Sequence, residues 1–178
     1  MSTKKIVITG GPGTGKTSLI DSLEELGYTC LPEISRQVTL QARNEGVEQL
    51  FLTDPLLFSK KLLEGRKDQF FESQTFDRDI IFIDRGLPDV LAYMDFIGDE
   101  YPQYFIDICE EHKYDQVFIL PPWEAIYTSD SERYENFEQA VRIHDYLEAS
   151  YRKYGYDLIS VPLASIKDRV EFILSHSK

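Results

Sequence analysis

The residues best suited to chemistry lie in one stretch near the start of the chain, Gly10 to Thr17, which reads GGPGTGKT. The stretch fits the pattern G-x-x-x-x-G-K-S/T at every specified position. Its glycines let successive backbone N–H groups turn toward an anion, and the helix expected from Lys16 onward points its positive end at the same place. The pattern therefore predicts a loop that holds nucleotide phosphates, with Lys16 on the β- and γ-phosphates and the Thr17 hydroxyl on Mg²⁺. The predicted nucleotide-binding residues are Gly11, Gly13, Thr14, Gly15, Lys16, Thr17 and Ser18.

An acid and an arginine follow directly on a second apolar run. Asp84 and Arg85 come after Ile80-Ile81-Phe82-Ile83, a pattern typical of a buried parallel strand. A carboxylate at the end of such a strand, beside the phosphate loop, can hold Mg²⁺ directly or through water. An arginine next to it can grip the transferring phosphoryl group or the acceptor. We expect these roles for Asp84 and Arg85; the alternatives are a solvated aspartate and a structural ion pair.

A third pair of polar residues, Glu33 and Arg36, follows the short strand pattern of Tyr28 to Leu31. A glutamate across the cleft from the phosphate loop could take a proton from an acceptor hydroxyl. Arg36 lies three residues on and would share a face with Glu33 on a helical turn, so it could orient the acid or bind substrate. The sequence leaves a second explanation open, in which Glu33 accepts hydrogen bonds from backbone N–H groups at a helix N-terminus.

A polar segment, Asp130-Ser131-Glu132-Arg133, comes after the fourth strand pattern and the turn Pro121-Pro122-Trp123. We interpret residues near 121–136 as a lid over the phosphates. Arg133 would then neutralise charge in the transition state, as an arginine finger supplied by the same chain. The alternative is a solvated loop that happens to contain one arginine.

Five short runs rich in β-branched and aromatic residues alternate with helical patterns. This alternation predicts a three-layer α/β fold with a five-stranded, mainly parallel sheet covered on both faces. We expect one domain over residues 1–178, with helical insertions near 45–74 and 87–114, where α/β folds place ligand sites. In the first insertion, Thr53 or Asp54 is expected to cap a helix that begins at Pro55. The predicted strands are Ile6–Ile8, Tyr28–Leu31, Ile80–Asp84, Gln116–Leu120 and Leu158–Val161; further helices are predicted from Lys16 and over Pro88–Ile97, Tyr101–His112 and Asn136–Tyr154.

The charge balance argues against a nucleic-acid partner. The chain has 19 Lys and Arg against 31 Asp and Glu, a formal net charge of -12 at pH 7, whereas a phosphate-backbone footprint needs clustered cations. No apolar run approaches the roughly 20 residues of a membrane span, and the start of the chain lacks a signal-peptide core. We therefore expect a cytoplasmic protein with no membrane partner.

Several of these motifs together resemble a known family. GGPGTGKTSL, PEISRQ, FIDRGLPDVLAY and LPPWE with DSER resemble the P-loop ATPase and kinase-type domains related to the ribosylnicotinamide kinase portion of NadR. The resemblance implies a P-loop NTPase fold of the nucleoside- and nucleotide-kinase type, with ATP or GTP on the loop and Mg²⁺ beside it. Deoxynucleoside and thymidylate kinases are similar in having an acid after strand two, here Glu33, and an acid–arginine pair after strand three, here Asp84-Arg85. The related lid often reads Asp-Gly-x-Arg, whereas this chain has serine in place of the glycine.

The sequence favours one function over another without deciding between them. The leading interpretation is a Mg-ATP-dependent kinase that transfers the γ-phosphoryl group to a hydroxyl of a nucleoside-like small molecule. The alternative is a nucleotide-dependent regulatory switch or slow NTPase without an acceptor. The guanine motif Asn-Lys-x-Asp is absent, which favours ATP and leaves GTP as the second choice. Either a monomer or a homodimer fits the sequence.

Overall fold

The computed structural model describes residues 2–127 and 136–177. The strands of this part of the chain are β1 (Lys4–Gly10), β2 (Thr29–Leu31), β3 (Ile80–Asp84), β4 (Gln116–Leu120) and β5 (Leu158–Ser160). Its helices are α1 (Lys16–Glu25), α2 (Ser35–Asn44), α3 (Leu50–Thr53), α4 (Pro55–Glu72), α5 (Leu87–Ile97), α6 (Gln103–Glu111), α7 (Phe137–Lys153) and α8 (Ile166–His176). Short 3₁₀ turns cover Ser73–Thr75 and Glu124–Ile126.

The strands form one sheet with the order β2-β3-β1-β4-β5, and every neighbouring pair is parallel. The predicted sheet is therefore confirmed, and it is parallel throughout. β1 lies at the centre, where Ile8 pairs with Asp84 of β3 and Gly10 pairs with Leu120 of β4. This register brings the end of β1, which leads into the glycine-rich loop, next to the acid that ends β3.

Side chains of alternate strand residues pack against helices on the two faces of the sheet, as the two-residue period of a strand requires. Ile6 and Ile8 are fully buried in a cluster with Leu23 of α1 and Ile173 of α8. Val7 lies in a second cluster with Leu63 of α4 and with residues of α5, α6 and α7. The result is the predicted three-layer arrangement. No helix within the described residues has the length and apolar character that a membrane crossing requires.

Local sequence signals explain where several helices begin and end. The Asp54 side chain accepts a hydrogen bond from the Leu57 N–H, 3.1 Å away, and Pro55 takes the first helical position of α4. Asp54, rather than Thr53, is therefore the cap. Gly155 follows α7 with a φ of 85°, a left-handed conformation that favours glycine and stops a helix. The sequence did not predict helix α2, whose ten residues include only one buried side chain, Ala42.

Candidate active site

The phosphate loop joins β1 to α1 at the carboxyl edge of the sheet. Gly13 and Gly15 have φ angles of 72° and 81°, in the left-handed region where glycine is favoured. Gly10 has no room for a side chain, because a Cβ there would lie 2.9 Å from the Leu120 carbonyl oxygen. The N-terminus of α1 has neither a side-chain cap nor an acidic residue in its first turn. Its backbone N–H groups and its positive end are therefore available to an anion.

Two side chains brace this loop from behind. The buried Thr14 hydroxyl donates to the Gly11 carbonyl oxygen at 3.1 Å. The Thr14 carbonyl oxygen in turn accepts a hydrogen bond of 2.9 Å from Nη1 of Arg169, a residue of α8 that is 1% exposed. The Arg169 guanidinium also lies over the ring of Trp123, 5.8 Å from its centroid. Sequence reasoning missed Arg169, because it lies 155 residues from Thr14 in the chain. In the sequence alone it cannot be told from an ordinary surface charge of the last helix.

Lys16 and Asp84 form an ion pair at the mouth of the loop, and each side chain is 10% exposed. The predicted phosphate ligand and the predicted metal ligand thus contact each other. Burial lowers the pKa of Lys16, and the neighbouring Arg85 lowers it further, while Asp84 acts in the opposite direction. A phosphate group entering the loop would compete with Asp84 for the Lys16 ammonium.

The predicted Mg²⁺ ligands have suitable chemistry. Thr17 lies in the first turn of α1 and is exposed, as is Ser18, and Asp84 lies at the adjoining strand end. A hydroxyl and a carboxylate are hard oxygen donors, which Mg²⁺ binds together with water and substrate phosphates. These residues fit the ion, provided that Asp84 exchanges Lys16 for the metal.

Arg85 occupies an unusual backbone position directly after Asp84. Its φ is 69°, in the left-handed region that residues other than glycine rarely adopt. Its Nη1 lies 3.2 Å from the Tyr93 hydroxyl oxygen, to which it donates, and 3.7 Å from Oδ1 of Asp89. Burial acts to lower the pKa of Arg85, but Tyr93, Asp89 and Glu33 outweigh it and raise that pKa. Arg85 is therefore a permanent cation inside the cleft.

Glu33 is held by a residue that the sequence analysis did not select. Its Oε1 accepts a 3.0 Å hydrogen bond from Nη2 of Arg66, a buried residue of α4 whose Nη1 lies 3.4 Å from the Gly86 carbonyl oxygen. Glu33 also accepts hydrogen bonds from the Ser35 N–H, at 3.0 Å, and from the Ser35 hydroxyl. The backbone-capping role left open by the sequence is thus present, and it coexists with an ion pair.

These contacts set the charge of Glu33. Burial acts to raise its pKa, but the Arg66 and Arg85 guanidinium groups and the two Ser35 hydrogen bonds outweigh burial and lower the pKa to about 2. Glu33 is therefore a carboxylate at any pH near neutrality. A group this acidic is a poor acceptor of a full proton and a good acceptor of hydrogen bonds.

One predicted residue is not part of this cluster, and another lies outside the described residues. Arg36 is exposed in the first turn of α2. We expected Arg36 to pair with Glu33, but the arginine that pairs with Glu33 is Arg66. The reason is local: α2 begins at Ser35, so Glu33 precedes the helix and the three-residue spacing does not bring the two side chains onto one face. Arg133 lies outside the described residues, together with Asp130, Ser131 and Glu132.

Comparison with known proteins supports the same reading of the fold. A family model described as an AAA domain matches residues 5–169, and the chain belongs to this family. No curated protein matches the sequence significantly. Among solved structures, a deoxyadenosine kinase from M. mycoides with the products dCMP and dCDP bound has a TM-score of 0.70 at 18% identity, over 97% of both chains. The same kinase with bound dATP has a TM-score of 0.64 at 17% identity, over 97% of this chain and 98% of that one.

A second kind of similar structure is the NadR protein in complex with NR. Its TM-score is 0.73 at 14% identity, over 98% of this chain and 51% of that chain, so the present chain spans about half the length of NadR. At these identities the likeness establishes the fold alone, which is a three-layer α/β P-loop NTPase fold. The resemblance inferred from the motifs is confirmed at this level.

Proposed function

We propose that this protein is a Mg²⁺-dependent phosphotransferase that moves the γ-phosphoryl group of ATP to a hydroxyl of a nucleoside-like small molecule. The main observation behind the proposal is that two charged clusters lie next to each other at one edge of the sheet. The Lys16–Asp84 pair lies at the phosphate loop, and the Glu33–Arg66 pair lies beside it with Arg85 coupled to both acids. The first cluster suits a triphosphate and its metal, and the second suits an acceptor.

The phosphate loop would bind the nucleotide by exchange of partners. The N–H groups of the loop and of the first turn of α1 hydrogen-bond the phosphate oxygens. Lys16 would leave Asp84 for the β- and γ-phosphates, and the oxygens of Asp84 and Thr17 would hold Mg²⁺. When bound, Mg²⁺ would neutralise charge on the β- and γ-phosphates. Binding of the metal and binding of the nucleotide are therefore coupled through one ion pair.

Glu33 would orient the acceptor. Because its pKa is about 2, it accepts a hydrogen bond from the acceptor hydroxyl and aims the oxygen lone pair at the γ-phosphorus atom. In a loose transition state the bond to the leaving oxygen is largely broken before the hydroxyl proton is lost. As the new O–P bond forms and the bond to the β-phosphate oxygen breaks, the proton passes to an oxygen of the transferred group or to water. Positioning, rather than strong base catalysis, is the expected contribution of Glu33.

The arginines divide the remaining tasks. Arg85 is a permanent cation next to Asp84 and would stabilise the charge that spreads over the phosphoryl oxygens. Arg66 contacts both Glu33 and the Gly86 carbonyl oxygen. It would therefore hold Glu33 in a fixed position relative to the arginine turn, Arg85-Gly86. Arg36, exposed on α2, would bind a more distant part of the acceptor. Arg133 remains our prediction for the residue that closes over the phosphates.

The choice of a nucleoside-like acceptor is supported by what two of the similar proteins bind or phosphorylate. A deoxyadenosine kinase and a protein in complex with NR share this fold over nearly the whole of the present chain. Glu33 precedes the start of α2, Arg66 lies on α4 and Arg85 precedes α5, so three elements supply the charged side chains on the proposed acceptor side of the cleft.

A transfer assay with γ-labelled ATP, Mg²⁺ and a panel of nucleosides and other small alcohols tests the proposal. We expect acceptor-dependent label transfer in the wild type and a fall of at least tenfold in kcat for Glu33→Gln, with ATP affinity retained. Glu25→Gln, which removes an exposed carboxylate from α1, is the matched control and should behave as the wild type. Hydrolysis that ignores every acceptor and the Glu33→Gln change would instead identify a nucleotide-dependent switch or slow NTPase.

A further inference from the structure

We infer that Asp89 is a positioning residue that fixes where the Arg85 guanidinium meets the transferring phosphoryl group. The inference rests on the proposed function, in which Arg85 stabilises the phosphoryl charge. Asp89 lies in the first turn of α5 and is 0% exposed, so it cannot touch the substrate itself. Its action is on the turn that carries Arg85.

The turn needs support because its backbone is unfavourable. Arg85 is one of two described residues other than glycine with a positive φ, and such conformations persist only where the surroundings hold them. The Arg85 N–H donates to the Ile8 carbonyl oxygen at 3.0 Å, and the Leu87 N–H donates to the Tyr114 hydroxyl at 3.1 Å. Between them, the Gly86 N–H donates to Oδ2 of Asp89 at 2.9 Å.

Asp89 gathers four donors from three different parts of the chain. Besides the Gly86 N–H, its Oδ2 accepts a hydrogen bond from the Tyr151 hydroxyl of α7. Its Oδ1 accepts from the Thr9 hydroxyl at 2.5 Å and lies 3.7 Å from Nη1 of Arg85. Thr9 is the residue before the first glycine of the phosphate loop. One side chain therefore ties the loop, the arginine turn and α7 to the Arg85 guanidinium.

The chemistry of these contacts favours a carboxylate. The Gly86 N–H at Oδ2 and the Arg85 guanidinium at Oδ1 can only donate, and a carboxylate is the side chain of this size that accepts on both of its oxygens. An asparagine would fit the space but would turn an NH₂ group toward at least one N–H or O–H. Little room exists for adjustment, because a Cβ on Gly86 would come within 2.8 Å of the Tyr151 hydroxyl and 2.9 Å of the Tyr114 ring.

The test compares Asp89→Asn with Ser150→Ala. Ser150 makes a buried 2.8 Å hydrogen bond from its hydroxyl to the Pro88 carbonyl oxygen, on the same pair of helices, but it does not contact the arginine turn. We expect Asp89→Asn to lower kcat at least about tenfold while KM for ATP stays within about twofold, and Ser150→Ala to leave both unchanged. In an Arg85→Ala background the effect of Asp89→Asn should vanish. An equal loss in both backgrounds would overturn the inference.

A second readout does not depend on turnover. In ¹⁵N-labelled protein the Arg85 guanidinium Nη signal, identified by its loss in Arg85→Lys, should be shifted and protected from solvent exchange in the wild type, because Nη1 contacts Tyr93 and Asp89. In Asp89→Asn it should move to the position of exposed arginines. A protected signal that Asp89→Asn leaves in place would contradict the inference, even if no acceptor were ever phosphorylated and the proposed function had failed. If Asp89→Asn does not fold, Tyr151→Phe removes one of the four donors and should give the same changes at a smaller size, about threefold in kcat.

Discussion

Replacing Glu33 by glutamine should weaken the fold in a manner that depends on pH. The carboxylate is held by Arg66 and by two Ser35 donors, and its pKa falls from an ordinary 4.5 to about 2. A carboxyl group whose pKa is lower in the folded state stabilises the protein above its unfolded pKa, and this stabilisation disappears as the pH falls toward the folded value. The wild type should therefore lose its advantage over Glu33→Gln as the solution is acidified.

The size of the effect follows from that pKa. A change from 4.5 to about 2 corresponds to at most about 3 kcal/mol of unfolding free energy near neutral pH. The measured loss should be somewhat smaller, because glutamine can retain one hydrogen bond and the Glu33 side chain is still 18% exposed. By the same relation, about 1 kcal/mol of the difference should disappear between about pH 7 and about pH 3.5.

The assay is urea unfolding of both proteins at several pH values in that range, with Glu25→Gln as the control for the removal of one charge from an acidic protein. Glu25 is exposed on α1, so its variant should track the wild type at every pH. A Glu33→Gln protein that is as stable as the Glu25→Gln control, or a difference that does not narrow on acidification, would refute the reasoning about Glu33 and its arginines.

Three further perturbations should act at known contacts. Asp84→Asn frees Lys16, so Mg²⁺-free ATP should bind about five- to tenfold more tightly by calorimetry while Mg²⁺-dependent turnover falls; equal affinity in the two proteins would argue against partner exchange. Gly86→Ala forces a Cβ against the Tyr151 hydroxyl and should lower unfolding stability by about 1–3 kcal/mol in urea titrations; an unchanged midpoint would contradict this packing. A lysine in Arg169→Lys cannot both donate to the Thr14 carbonyl oxygen and stack on the Trp123 ring, so ATP affinity should fall about tenfold. An unaltered ATP affinity would show that Arg169 does not support the phosphate loop.

Local sequence patterns were sufficient to predict the parts of the site whose residues are close together in the chain. The glycine-rich loop, the strand ending at Asp84 and the arginine after it are each recognisable within a few residues, because one strand and one turn decide their placement. The parallel sheet also follows from five short apolar runs separated by helices. These are the features for which backbone geometry leaves few alternatives.

The residues that sequence reasoning missed act over long separations. Arg66 and Arg169 sit in helices, where a buried arginine and a solvated one have the same local pattern, and only the tertiary packing brings them to Glu33 and to the phosphate loop. Asp89 was hidden for the same reason, since its partners come from β1, the turn after β3 and α7. Helix α2 escaped prediction because its sequence, SRQVTLQARN, is mostly polar and its buried side rests on two apolar positions, Val38 and Ala42.

The proposed kinase differs from a switch or slow NTPase in sending the γ-phosphoryl group to an acceptor hydroxyl rather than to water. The most direct measurement is the ratio of phosphorylated acceptor to ADP formed in a single reaction, followed by ³¹P NMR with a saturating nucleoside. Transfer to an acceptor predicts a ratio close to one, with both products lost in Lys16→Ala. ADP and inorganic phosphate accumulating in step, with no phosphorylated acceptor from any nucleoside, would contradict it.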